Sequence, residues 1–454
     1  ALTLRERCSG PHELFKSDCP PRVAQFCEFK TREKHAQRKH DYRHSNIERV
    51  QPPPFLSGSY DEEKKEQHTQ SSSNVPCKQG VVNDCTRTGG KLLETFFHRY
   101  LYSVSIMSSN PDLSTFRGCD TVWRMKSGFW GELKKPTRGE HVEPIMALAP
   151  MANVTDAAFR RIIAKYGKPD IMFTEFVSAD GLCSKGKEKL LVDLAYSESE
   201  RPIVAQLFSG NPEKMHEAAK LVRDLRFDGL DINMGCPDRS IEKSGAGAAL
   251  IKNPGLAREL IRAAKDGSKL PVSIKTRLGY NRDTLDEWLP ELLAERPAAI
   301  TLHARTRKEM SKVPARWERI KRAVEIRNNF KSKTLILGNG DVTSLAEARQ
   351  KAKETDADGV MLGRAIFGNP FLFLQKCPEP VEGPTTAKRL AVMLEHTKLF
   401  EELLGGHKNF AIMKKHFKAY VEGFPGAKEL RLKLMGATSA AEANGIVTDF
   451  LASQ

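Results

Sequence analysis

The chain has 454 residues and a formal net charge of +15, enough for two or three domains or for one large barrel with additions. Its apolar and charged fractions are ordinary for a globular protein with a sizeable core. Nine scattered cysteines, an odd number, do not make a disulfide framework, and no apolar run approaches the roughly 20 residues of a membrane span. No signal-peptide pattern stands at the N-terminus. A soluble cytoplasmic protein is expected, and the surplus of positive charge suits a polyanionic partner, nucleic acid foremost.

Residues 1–140 are rich in Ser, Thr, Pro, His and charge, as in Gln51-Pro52-Pro53-Pro54 and Ser71-Ser72-Ser73-Asn74. Such composition buries too little apolar area to offset its ordering entropy, so a mostly disordered extension is expected, with one apolar island at 96–106. Cys8, Cys19 and Cys27, followed by His35 and His40, are spaced too widely for a compact structural zinc site, and no metal is expected. The basic cluster at 30–43 reads equally as a solvated arm or a nonspecific RNA contact.

From about residue 141 short apolar runs alternate with segments of helical period. The strand candidates are 145–148, 171–174, 203–207, 229–233, 272–276, 299–302, 334–337 and 359–362. Between them lie helix candidates such as 212–226, where Met215, Ala218, Ala219 and Val222 recur on one face. Another is 345–353, with Ser344 as N-cap. Eight β-then-α units predict a (β/α)8 barrel over 141–378, and the strand count disfavours the alternative of an open doubly wound sheet. After Pro370 the β signals stop. Runs at 387–404, 410–422, 427–436 and 440–450 predict an all-helical domain over 384–454, behind a Pro-containing linker. Phe417 and Tyr420 belong to its core, while Lys414, Lys415 and Lys418 offer a face to RNA.

In such a barrel the C-terminal strand ends converge on one mouth. The residues found there are Pro150, Met151 and Ala152 after the first strand, Gln206 on the third, and Asn233 and Cys236 at the fourth. Lys275 and Arg277 follow on the fifth, His303 and Arg305 on the sixth. Asn339, Gly340 and Asp341 end the seventh, and Gly363 and Arg364 the eighth. Each has a plain explanation alone: Cys236 as a small buried hydrophobe, His303 as a barrel histidine, Asn339-Gly340 as a turn. Together they suit a flavin mononucleotide. Gly turns and Arg364 would hold its phosphate, Met151 and Ala152 would flank the ring, Gln206 would bond the ring edge, and Lys275 would stabilise negative charge on it.

The ordered set Ala149-Pro150-Met151, Gln206-Leu207, Asp231-x-Asn233-x-Gly235-Cys236-Pro237, Lys275-x-Arg277, His303-Ala304-Arg305-Thr306, Asn339-Gly340-Asp341 and Gly363-Arg364-Ala365 resembles the tRNA-dihydrouridine synthases, over roughly 143–435. The resemblance implies an FMN-dependent enzyme that uses NADPH to saturate the C5–C6 bond of tRNA uridines. It implies Cys236 as proton donor, Asn233, Arg277 and Arg305 toward the uridine, His303 near the flavin, and a monomer whose helical domain grips tRNA. The uridine must leave its stack to reach the mouth. Two other readings stay open: an FMN barrel reducing a small pyrimidine, and an RNA-binding flavoprotein without turnover. The sequence departs from the family at Ala304, where Gly is usual, and in the loop 308–312, which lacks the usual aromatic and Gly. The leader has no counterpart in the family.

Overall fold

The computed structural model describes residues 128–133, 143–374 and 384–453. The wide cysteine–histidine set, the basic cluster, the apolar island and the Pro-containing linker fall outside them. Eight strands are present: β1 (Ile145–Leu148), β2 (Met172–Ser178), β3 (Ile203–Phe208), β4 (Gly229–Met234), β5 (Val272–Arg277), β6 (Ala299–His303), β7 (Leu335–Asn339) and β8 (Gly359–Leu362). They pair in parallel in the order 1-8-7-6-5-4-3-2. The circle closes between β1 and β2, where Ala147 bridges Ile171 and the Leu148 N–H donates to the Ile171 carbonyl at 3.1 Å. The expected (β/α)8 barrel is the fold, and an open sheet is ruled out.

The period of two along each strand sorts the side chains. Ile145, Ala147 and Ala149 join Phe173, Val204, Ala299, Leu335, Leu337 and Met361 in the cluster that fills the barrel. Met146 and Leu148 lie in a different cluster, packed toward the outer helices. Nearer the C-terminal strand ends the inward positions turn polar: Gln206, Asp231, Asn233, Ser273 and Thr301 are all buried. The floor is closed by α1 (Gly128–Leu133), whose Trp130 is 2% exposed in the interior cluster. This helix lies inside the stretch expected to lack regular structure. Its Gly-Phe-Trp-Gly sequence carries no helical period, so only the apolar floor beneath Trp130 explains its order.

The outer ring is α2 (Ala157–Tyr166), α3 (Pro212–Asp224), α4 (Pro254–Ser268), α5 (Leu285–Ala294), α6 (Glu318–Asn329) and α7 (Leu345–Thr355), with shorter helical turns between. On α3 the stripe Met215, Ala218, Ala219 and Val222 is buried, Pro212 sits in the first turn, and Asn211 accepts the Lys214 N–H at 3.0 Å. The helix ends two residues before the expected boundary, because Leu225 leaves helical geometry and Arg226 takes φ +60°. Ser344 caps α7 by accepting the Glu347 N–H at 3.1 Å. β2 runs four residues beyond its expected end, because after a register shift Phe176, Val177 and Ser178 pair with Gln206, Leu207 and Phe208.

Four helices follow residue 384: α8 (Thr386–Leu404), α9 (Met413–Tyr420), α10 (Ala427–Leu434) and α11 (Ala440–Ala452). Phe417 and Tyr420 are buried, as their spacing predicts, in a cluster that also takes Ala158 and Ile162 from α2. This segment is therefore packed onto the barrel's outer helix, with Lys415 and Lys418 facing outward. No helix among the described residues is long and apolar enough to cross a membrane.

Candidate active site

The turn after β4 is built from below. Asp231, on an inward β4 position, accepts the Ser273 hydroxyl at 2.6 Å and the Gln206 side-chain N–H at 2.7 Å. Gln206 in turn accepts the Asn233 side-chain N–H at 3.1 Å. That orientation leaves the Asn233 carbonyl oxygen to accept the backbone N–H groups of Gly235 and Cys236, at 3.1 and 2.9 Å. A relay of four buried polar side chains thus fixes where Cys236 stands. Burial pushes the Asp231 carboxyl up to about 6, opposed by the Ser273 and Gln206 bonds. Desolvation of the anion outweighs two donors here.

Cys236 is half-buried. Burial, first, and the nearby Asp238 charge raise its thiol above the usual range, against the Arg277 and Lys275 charges. The group therefore stays a protonated thiol at neutral pH. Its carbonyl accepts the Ala248 N–H at 2.9 Å, and Gly247 beside it has φ +61°, with space for no side chain: a Cβ there would lie 2.8 Å from the Cys236 oxygen.

A cavity of about 600 Å³ opens at the strand ends, within the size of small-molecule sites. It gathers Pro150, Met151, Lys275, His303, Arg305, Asn339, Gly340, Asp341, Gly363 and Arg364 from the residues singled out in the sequence. Gln206 lies beneath it in the relay, Ala152 is exposed beside it, and Cys236, Asn233 and Arg277 do not line it. Ser311, Val342, Thr343 and Met361 line it as well and were not anticipated. Met361 was readable as an inward β8 position, whereas Ser311 reaches the wall only through the course of a loop.

Lys275 extends its ammonium toward the Asn339 carbonyl oxygen at 3.4 Å, while the Asn339 amide donates to the Met361 carbonyl at 2.7 Å. Burial first, then the Arg277 charge, lower the Lys275 amine to about 8. An arriving anion would restore its full charge. His303 is pushed down to about 2 by burial and by the cations Lys275, Arg277, Arg305 and Arg364, so its ring is neutral. Arg305 faces its Nε2 at 3.1 Å. A guanidinium only donates, so the His303 proton sits on Nδ1.

Both arginines expected to face a substrate are occupied by protein. Arg277 donates to the carbonyls of Gly235 at 2.8 Å and of Thr306 and Met310 at 3.2 Å. Arg305, 2% exposed, donates to the Val313 carbonyl at 2.6 Å and to Asp341. They tie the loop after β6 to the Cys236 turn and to the cavity wall. Arg364 is different: its side chain is 69% exposed and meets Asp341 at 2.7 Å. Asp341, held by two arginines and the Ala315 N–H, stays well ionised. The turn that carries it needs glycine, since Gly340 has φ +132° and a Cβ there would meet Ala315 at 2.8 Å. No group of three or more His, Cys, Asp or Glu able to hold a metal occurs among the described residues.

The lining suits a flavin phosphate in one respect that geometry can test. Two glycine-bearing turns, an exposed Arg364 and a buried lysine stand around one open cavity, the donor set an anion needs. Comparison with known proteins agrees. The family model described as Dihydrouridine synthase (Dus) matches residues 147–453. A probable tRNA-dihydrouridine synthase of Staphylococcus aureus (strain COL) is 39% identical over 330 residues, 72% of this chain and 96% of that protein. Probable tRNA-dihydrouridine synthase 2 of Bacillus subtilis (strain 168) is 39% identical, covering 72% and 97%. Among solved structures, histamine dehydrogenase from Rhizobium sp. 4-9 aligns at a TM-score of 0.40 and 14% identity over 60% of this chain and 51% of that one, too loose a match to bear on function. On the family model and these relatives, the chain belongs to the dihydrouridine synthase family of flavin-dependent oxidoreductases.

Proposed function

We propose that this chain reduces the C5–C6 double bond of uridines in tRNA, with Cys236 as the proton donor, FMN in the strand-end cavity and NADPH as the source of electrons. When bound, FMN would supply the hydride chemistry at uracil C6. The protein supplies the proton: Cys236 gives its thiol hydrogen to C5 as the π bond is lost, and the thiolate is reprotonated from solvent. The observation that carries this reading is the relay Ser273–Asp231–Gln206–Asn233, which holds by its backbone N–H groups the turn of a thiol that burial keeps protonated.

In this reading Pro150, Met151 and Ala152 hold one side of the flavin ring, Gln206 acts at its edge through the relay beneath, and Lys275 meets negative charge on it. Gly340, Gly363 and Arg364 take the phosphate, with Asp341 and Asn339 shaping those turns and neutral His303 beside them. Asn233 orients the uracil, and Arg277 and Arg305 act through the loop they pin. The helical segment 384–453 binds the tRNA backbone, and the protein works as a monomer without metal in the cytoplasm. The flipped uridine enters from the open side of the mouth.

The test is the absorbance of the purified protein, followed by anaerobic NADPH and then unmodified tRNA. Flavin bands that bleach with NADPH and return with tRNA are expected. Bands that bleach but ignore tRNA would move the substrate to a small pyrimidine, and a protein that takes up no FMN would refute the cavity assignment.

A further inference from the structure

One wall of the cavity is held by the helical segment across more than 230 residues of sequence. Pro150 and Met151 line the cavity, and the turn they enter is a closed unit. Val154 and Thr155 donate to the Met151 carbonyl at 3.1 and 3.0 Å, and the Thr155 hydroxyl accepts the Met151 N–H at 2.9 Å. At its tip Asn153 adopts φ +54° and donates its N–H to Oε1 of Glu175 on β2. Glu175 is 5% exposed, and its other oxygen accepts the Lys408 ammonium. Lys408, four residues past α8 and 12% exposed, pairs also with Asp193 at 2.7 Å.

A carboxylate buried this deeply needs a compensating cation. Asp156 is buried nearby, and burial pushes its carboxyl up to about 6, with the Glu175 charge adding to that rise and the Lys408 and Arg160 charges opposing it; Arg160 is itself bonded to Glu200. Without Lys408, Glu175 would lose its ion pair beside Asp156 and Asp193 and would turn toward water. That movement releases the Asn153 N–H.

We propose that Lys408 is a positioning residue for the flavin cavity: by neutralising Glu175 it fixes the 151–155 turn, so that docking of the helical segment shapes the Pro150–Met151 wall. This rests on the reading that the cavity takes FMN. Coupling of this kind would let a tRNA held by the helical segment bear on the flavin site.

The test uses the full chain, stripped of flavin and titrated with FMN by fluorescence, as wild type, Lys408→Met, Glu175→Gln and the double variant, each checked for native circular dichroism. Lys408→Met should weaken FMN binding about ten-fold, by analogy with the low end of the loss when an outer-shell partner is removed at a metal site. Glu175→Gln should weaken it by less, and the double variant should bind no worse than Lys408→Met, because both act through one link. The absorbance of saturated Lys408→Met should also be shifted, which a lysine that merely fastens the helical segment would not produce. Wild-type affinity and spectrum in folded Lys408→Met would overturn the proposal, as would losses that simply add in the double variant. Should Lys408→Met not fold, Glu175→Gln decides, and unchanged affinity in that variant overturns it. A wild-type chain that takes up no FMN removes the premise and the proposal together.

Discussion

At the scale of single residues the site works by holding groups in one charge state. Cys236 is kept protonated by burial and the Asp238 charge, as its proposed role of proton donor requires. Changing Cys236 to Ala should slow reduction of tRNA by about 100- to 10,000-fold, the range for loss of a general acid. Flavin reduction by NADPH without tRNA should be unaffected, and stopped-flow absorbance separates the two steps. Asp156 makes a stability prediction. It caps α2 by accepting the Phe159 N–H at 3.0 Å, and burial raises it to about 6 from an ordinary 3.8. A raised folded pKa means that the folded state binds the proton more tightly. The stabilisation is therefore present below about pH 4 and lost as pH rises through about 6. Asp156→Asn keeps a capping oxygen and cannot ionise. Its stability relative to wild type should rise by about 3 kcal/mol between acid and neutral pH, read from urea unfolding at both. A pH-independent difference would show that folding leaves the Asp156 pKa unshifted.

At the scale of elements, turns and not strands carry the sensitive geometry. The loop after β4 turns at Gly247, where φ is +61° and a Cβ would meet both the Cys236 carbonyl and Ile241. Gly247→Ala should cost about 1–3 kcal/mol of stability and move the Cys236 turn. Its tRNA step should slow while FMN affinity stays near wild type; equal loss of both would mean the displacement spreads to the cavity. Ser344→Ala removes the α7 cap next to Thr343 of the cavity wall, for about 1 kcal/mol, seen in thermal unfolding. Arg277 and Arg305 show how elements are joined at the mouth. Their guanidinium groups bond backbone carbonyls of the Cys236 turn and the loop after β6, so they fix two loops against each other.

At the scale of the molecule, a basic chain is proposed to meet a polyanion with its helical segment. Lys415 and Lys418 face outward from α9, while Phe417 and Tyr420 are spent in the core. Affinity for tRNA should therefore fall at least about ten-fold between 50 and 200 mM salt through counterion release, measured by filter binding. A salt-independent affinity would remove the electrostatic account. FMN affinity should fall far less, since Lys275 meets its partner in a partly buried cavity where screening is weak.

Much of this was legible in the chain because it is local. Short apolar runs placed all eight strands and the helical period placed the α3 stripe, since helix geometry decides which side chains share a face. Closure of the barrel then carried distant strand ends to one mouth, so residues written in order could be read as one site. Other features depended on tertiary structure. The relay through Asp231 exists because Gln206 stands beside it in register across β3 and β4. Arg277 and Arg305 read as free charges until the loops folded over them. The ion pair of Glu175 with Lys408 joins residues that nothing in the sequence relates. Burial is set by what the rest of the chain packs around a group, and burial is what raises Asp156, lowers His303 and makes Lys408 matter.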